Sequence, residues 1–221
     1  MRRIFLILLF GSCVTCASEA SQRDLPRAVD GVLDLSNWDF KQDGLVPLQG
    51  EWLFAWNALV DPMPFQQFRD RYPEVINATT RWTKYPDTTN SGALLGDYGF
   101  ATYAIQIKLP QSYDPTSFLG FEAGETMSAA TWQVVSADGH FEYIAYQHGK
   151  VGRSASNSLP AFSAKETDYF RVLPSENSLT VFVQVSNFTR KRGGLAWAPV
   201  LGTRSQVQHA SKTALAYDGI T

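Results

Sequence analysis

Few residues of this chain have the type and spacing that chemistry demands. The histidines are His140, His148 and His209, and none stands in the H-E-x-x-H spacing that turns two imidazoles toward one zinc ion. His140 and His148 flank a run of strand-like sequence and read as turn residues. Cys13 and Cys16 imitate a C-x-x-C redox or zinc motif, but both fall in an N-terminal segment of another kind, described below. There is no G-x-S-x-G elbow, no phosphate-binding glycine loop and no dinucleotide fingerprint. Gly120 and Gly124 only bracket a strand end. Hydrolysis of a glycosidic bond needs two facing carboxylates, for which Glu51, Glu122, Glu125 and Glu142 are available. Gly50-Glu51-Trp52 reads more simply as a strand entry. The sequence therefore assigns no catalytic residue, no metal ligand and no cofactor, and the expectation is a protein that is not an enzyme.

Binding is the better prospect. The chain has 6 Trp, 9 Tyr and 14 Phe. A sugar site needs exposed rings beside polar groups that fix hydroxyls. Trp82, Trp132, Tyr146 and Trp197 could supply rings, and Trp82, between Arg81 and Lys84, has the most polar setting. Nineteen Lys and Arg against 21 Asp and Glu leave a formal charge of −2, with no basic run longer than Arg190-Lys191-Arg192. Nucleic acid is excluded as an expected partner, because phosphate binding needs a concentrated basic surface.

The elements that would position these residues are strands. Tyr103, Ile105, Ile107 and Leu109 alternate with Thr102, Ala104, Gln106 and Lys108, the period of a half-buried strand closed by Pro110. Leu179, Val181, Val183 and Val185 repeat the pattern. Further strands are expected at 31–35, 51–56, 118–122, 131–136, 141–147, 168–173 and 195–201. Asp43-Gly44, Asn90-Ser91-Gly92, Asp138-Gly139, His148-Gly149 and Gly193-Gly194 supply the turns, and Asp138-Gly139 marks a hairpin. Only 56–59 and 65–72 have helical character. Many short strands with regular turns predict an all-β sandwich or jelly roll.

At the N-terminus, Arg2 and Arg3 precede an apolar run from Ile4 to Phe10, and small residues follow to Ala17 and Ala20. That is the order of a secretory signal, with an apolar run far short of the ~20 residues that span a bilayer. Both cysteines lie within it; lipidation at Cys13 is the other reading, against which Phe10-Gly11-Ser12 makes a poor lipobox. The expected organisation is a signal peptide at 1–20, a linker at 21–29, one ligand-binding sandwich at 30–203 and a C-terminal segment at 204–221.

In chain order the fragments form a series. Val32-Leu33-Asp34-Leu35-Ser36-Asn37-Trp38 precedes Gly50-Glu51-Trp52-Leu53-Phe54 and the Trp82 segment. Tyr98-Gly99-Phe100, Gly149-Lys150-Val151-Gly152-Arg153-Ser154, Val185-Ser186-Asn187-Phe188 and Gly193-Gly194-Leu195 follow. The series resembles the N-terminal extracytoplasmic domain of bacterial seven-transmembrane receptors with diverse intracellular signalling modules. It is more loosely similar to the sugar-binding β-domain of glycoside hydrolase family 2. The resemblance covers residues 30–220 and implies a jelly-roll β-sandwich, galactose-binding-domain-like. It also implies a periplasmic location, a small-molecule ligand such as a carbohydrate, and a seven-helix membrane domain beyond residue 221. The expected ligand-binding residues are Trp82, Trp132, Tyr146 and Arg153. The alternatives are a soluble exported carbohydrate-binding or adaptor protein and a fragment of a glycosidase.

Overall fold

The computed structural model describes residues 24–88, 92–124, 128–161 and 166–218, with side chains as far as 212. The N-terminal segment with Cys13 and Cys16, Glu125, and the Asn90-Ser91 turn lie outside them. Among the described residues the strands are β1 (Val32–Asp34), β2 (Val46–Pro47), β3 (Glu51–Trp56), β4 (Val75–Asn77), β5 (Gly99–Lys108), β6 (Leu119–Glu122), β7 (Ala129–Ser136), β8 (Glu142–His148), β9 (Thr167–Phe170), β10 (Ser178–Asn187) and β11 (Val200–Thr203). Helices α1 (Phe40–Asp43), α2 (Phe65–Arg71) and α3 (Arg204–Asp218) decorate them.

Two sheets form an all-β sandwich. The larger runs β4-β3-β5-β10-β7-β8, with β1 added in parallel to the end of β5; the smaller runs β2-β11-β6-β9. β5 and β10 pair along their whole lengths, from Lys108 opposite Ser178 to Gly99 opposite Asn187. Between the sheets lies the main core. Tyr103, Ile105 and Ile107 of β5 fill it together with Leu179, Val181, Val183 and Val185 of β10. This is the face that the alternating pattern predicts.

The other face of β5 is not the solvent face its composition suggests. Thr102 and Ala104 are also buried. Helix α2 and the segment before it cover that side, with Phe65, Phe68, Leu53, Ala55 and Phe182 in a second core. Phe68 meets Phe182 edge-on at 5.4 Å. Thr102 is satisfied there: its hydroxyl accepts from the Val60 amide at 2.9 Å and donates to the Ala58 carbonyl at 2.9 Å. Small and hydroxylated residues on this face are thus contacts for a covering layer, not signs of water.

Of the two expected helices only 65–72 forms, as α2. Trp56 instead completes β3, and Asn57 takes a left-handed φ of 54° that ends the strand. The hairpin at Asp138-Gly139 joins β7 to β8 as expected, with Gly139 at φ 76°. Residues 28 and 29, expected as linker, already belong to the sandwich: Ala28 bridges to Gly50 and Val29 to Val32.

Helix α3 was not legible in advance. Thr203 and Gln206 form a reciprocal capping box at its start: the Gln206 amide donates to Thr203 Oγ1 at 3.3 Å, and the Thr203 amide to Gln206 Oε1 at 3.0 Å. The helix folds back onto the smaller sheet, where Val207 is buried above Gly120. No helix of the described residues is long and apolar enough to cross a membrane.

Candidate functional site

β3 builds the candidate site. Trp52, Phe54 and Trp56 alternate onto its inner face. Trp52 and Phe54 are buried, but the core ends before Trp56, whose ring stays partly exposed. A groove of about 290 Å³ opens beside that ring. Phe54 and Leu95 form its floor, while Tyr72 and Tyr85 wall it with Trp56. Arg71, Glu74 and Thr88 stand exposed at its rim.

Each wall is fixed by local structure. Tyr72 follows the last turn of α2, and its amide donates to the Phe68 carbonyl at 2.8 Å. The Arg71 guanidinium lies 5.5 Å from the centre of the Tyr72 ring. The Asn77 amide donates to the Tyr85 hydroxyl at 2.7 Å, which holds that ring against β4. The Phe54 amide donates to the Glu74 carbonyl at 2.8 Å, tying the lead-in of β4 to β3. The groove is small beside the roughly 300–1,000 Å³ usual for ligand pockets, so it suits a molecule of sugar size. In general, flat rings suit the apolar face of a sugar and charged side chains suit its hydroxyls.

Trp82 stands behind this wall. It is 0% exposed, so the expectation that it offers an open ring face is corrected. Its indole N–H donates to the Gly96 carbonyl at 2.9 Å, and its ring meets Trp56 edge-on at 4.9 Å. Gly193 lies so close that a Cβ there would sit 1.8 Å from the indole. Trp82 opens a short 3₁₀ turn at Trp82–Lys84, which buries its ring and leaves Arg81 and Lys84 exposed. Trp82 therefore props the ring that is exposed.

Trp132 is likewise 0% exposed and is corrected on the same ground, because the inner face of β7 turns it into the core. Tyr146, half-buried, is its direct partner across β7 and β8. Phe121 faces both, with ring centres 6.3 Å from Trp132 and 6.5 Å from Tyr146. Burial pushes the Tyr146 phenol above its ordinary range, and the charges of Asp168 and Glu166 push it further. Arg153 is exposed on a loop tied to the end of β10 by the Gly152 amide, which donates to Ser186 Oγ at 3.0 Å. The structure thus brings Trp132 and Tyr146 together, and none of the four expected residues lines the groove. Trp56, Tyr72, Tyr85, Arg71 and Glu74 were missed. One signal was available: Trp52, Phe54 and Trp56 recur at period two along the strand-like run 51–56.

A larger cleft, of about 680 Å³, lies between α1, the 110–118 loop and the first turn of α3. Lys41, Asp114 and Arg204 give its walls both signs of charge. Arg171 and Arg204 lie over the ring of Phe118 at 5.1 and 5.7 Å, so this ring is already occupied by cations. Hydrogen bonds from Thr116 hold the Asp114 carboxyl below its ordinary range. The smaller groove gathers three partly exposed rings, Trp56, Tyr72 and Tyr85, where the larger cleft has Tyr113 and the arginine-covered Phe118. Among the described residues, no three His, Cys, Asp or Glu side chains group as a metal site requires.

No family model matches the chain, and no curated protein matches it. Among solved structures it is similar to a GH2 β-galacturonidase from Eisenbergiella tayi, at 14% identity over 71% of this chain and 24% of that one, with a TM-score of 0.41. It is similar also to a glycosyl hydrolase family 2 member from Bacteroides cellulosilyticus, at 10% identity over 72% and 20%, with a TM-score of 0.45. A third is the β-glucuronidase of Ruminococcus gnavus, at 13% identity over 72% and 29%, with a TM-score of 0.42. The chain spans about a quarter of the length of these solved chains.

Proposed function

We propose that this chain is a non-catalytic binding domain whose groove takes a carbohydrate, and that it serves as the periplasmic sensing part of a membrane signalling receptor. The observation that supports carbohydrate binding is the meeting of the partly exposed Trp56, Tyr72 and Tyr85 rings with Arg71 and Glu74 around one small groove. The receptor role is supported by the ordered sequence series from Val32 to Leu195 and by the order of charged, apolar and small residues at 1–20, which is that expected of a secretory signal. In such a receptor a bound sugar acts by binding one arrangement of the membrane domain more tightly than another, which shifts their populations.

Calorimetry of the exported chain with a panel of neutral, amino and uronic sugars tests the binding claim. Saturable binding to one class, lost in Trp56→Ala, is the expected result. Absence of saturable binding across the panel overturns it. The receptor claim has its own test: the reading frame beyond Thr221 should encode several apolar stretches of about 20 residues. An immediate stop codon reduces the proposal to an exported binding protein.

A further inference from the structure

Buried polar atoms in folded proteins almost always have a hydrogen-bond partner, so a group of exceptions in one place needs a cause. Trp132 Nε1, Tyr146 Oη and His148 Nε2 are buried and have none. They occupy adjoining positions on one hairpin. Trp132 is opposite Tyr146, and Ala130 is opposite His148, so all three side chains leave the inner face of β7 and β8. Trp132 is 0% exposed and His148 8%. The other unpartnered atoms among the described residues, Tyr103 Oη and Thr180 Oγ1, lie on different strands.

The chain does satisfy its other buried indoles. Trp38, Trp52 and Trp82 donate to the carbonyls of Gly44, Leu48 and Gly96 at 3.1, 3.0 and 2.9 Å. Trp132 is the exception, and it lies beside two further exceptions. An indole N–H only donates, a phenol O–H donates or accepts, and one nitrogen of a neutral imidazole does either. The partner that complements all three is a hydroxylic oxygen, which accepts and donates at once. The setting suits it: Phe121 forms an apolar wall, and Asp168 and Glu166 lie near the Tyr146 phenol. β8 and β9 are the edge strands of the two sheets, and Tyr146, whose ring is partly exposed while its hydroxyl is buried, lies on β8.

From this geometry we infer that the Trp132–Tyr146–His148 row is a hydroxyl-binding site inside the sandwich, separate from the groove at Trp56. Its oxygen comes from internal water or from the hydroxyl of a small polyol.

Two measurements on the full chain test this. High-resolution crystals are grown without polyols and then soaked in glucose, and the ¹⁵N indole cross-peak of Trp132 is followed during a glucose titration. An ordered oxygen bonded to Trp132 Nε1 before soaking, with a cross-peak that glucose does not move, supports the site with water as its occupant. A saturable shift that survives Trp56→Ala, and that Tyr146→Phe weakens about tenfold, supports it with a sugar hydroxyl. Tyr146→Phe keeps the half-buried ring and removes only the hydroxyl, so the fold is retained. No oxygen at the row in either crystal, with the three side chains bonded to protein groups, overturns the inference. Because Trp56 lies outside the row, failure here leaves the groove untouched, and failure of the groove leaves the row untouched.

Discussion

At the scale of the residue, two tryptophans 4.9 Å apart divide one task. Trp56 is the partly exposed ring and Trp82 the buried ring that supports it. Their alanine variants should therefore fail differently. Trp56→Ala should weaken sugar binding at least tenfold while lowering the melting temperature by a few degrees at most. Trp82→Ala empties a fully buried site and should cost roughly 3–5 kcal/mol, which differential scanning calorimetry reads as a drop of about 10 °C or more. A third residue carries a charge effect. Hydrogen bonds from Ser36 and the Lys108 ammonium, at 3.0 Å, lower the Asp34 carboxyl from 3.8 to about 2. A carboxyl lowered on folding stabilises the native state above its unfolded value and ceases to as pH falls through its folded value. Asp34→Asn should thus flatten the loss of stability between pH 4 and 2. Both partners are about half exposed, so the effect at pH 7 stays within about 1 kcal/mol. Acid titrations of melting temperature for both proteins check this.

Elements explain why the groove holds its shape. It lies where β3 outruns the core, and α2 and the 3₁₀ turn at Trp82 close it on either side. The loop around Gly193 carries that support, because only a residue without Cβ lets the backbone lie flat on the Trp82 ring. Gly193→Ala should destabilise the chain and also reduce sugar binding, since the Trp82 ring must move and Trp56 rests on it. Asn187 anchors the same region. Its side-chain amide donates to the carbonyls of Asp97 and Arg190, both at 2.8 Å, and its oxygen accepts from the Arg190 amide. That role, binding loop backbone at the end of a strand, is what an amide after an apolar run suggests. Helix α3 depends on its own cap, and Thr203→Ala should cost about 1 kcal/mol by removing the acceptor for the Gln206 amide. Urea unfolding of the variant measures it.

For the whole molecule, the sandwich offers its ring-walled groove at one edge of the larger sheet and its interior row at the opposite edge, beside β8. A ligand bound only by the folded state raises stability with its concentration, by about 2.7 kcal/mol at a hundredfold excess over its dissociation constant. Sugars that occupy the groove should accordingly raise the melting temperature in proportion to the logarithm of their concentration.

The local pattern of the sequence was enough for the strands that form the centre of the fold. Alternation at 103–109 and 179–185 marks β5 and β10 because burial on one face imposes a period of two, and Asp138-Gly139 marks a hairpin because glycine accepts its backbone geometry. What covers the far face of a strand is not local. Thr102 and Ala104 look like solvent residues until α2 packs over them. The same limit decided the site. Whether a tryptophan is a platform or a prop depends on what lies across from it, and for Trp82 that is Gly193, more than a hundred residues away. Trp132 and Tyr146 could be picked as rings from sequence. Only their pairing across β7 and β8 shows that they stand together and face inward. Sequence set the period of the strands, because that depends on neighbours along the chain; tertiary structure set which rings meet water, because that depends on neighbours in space.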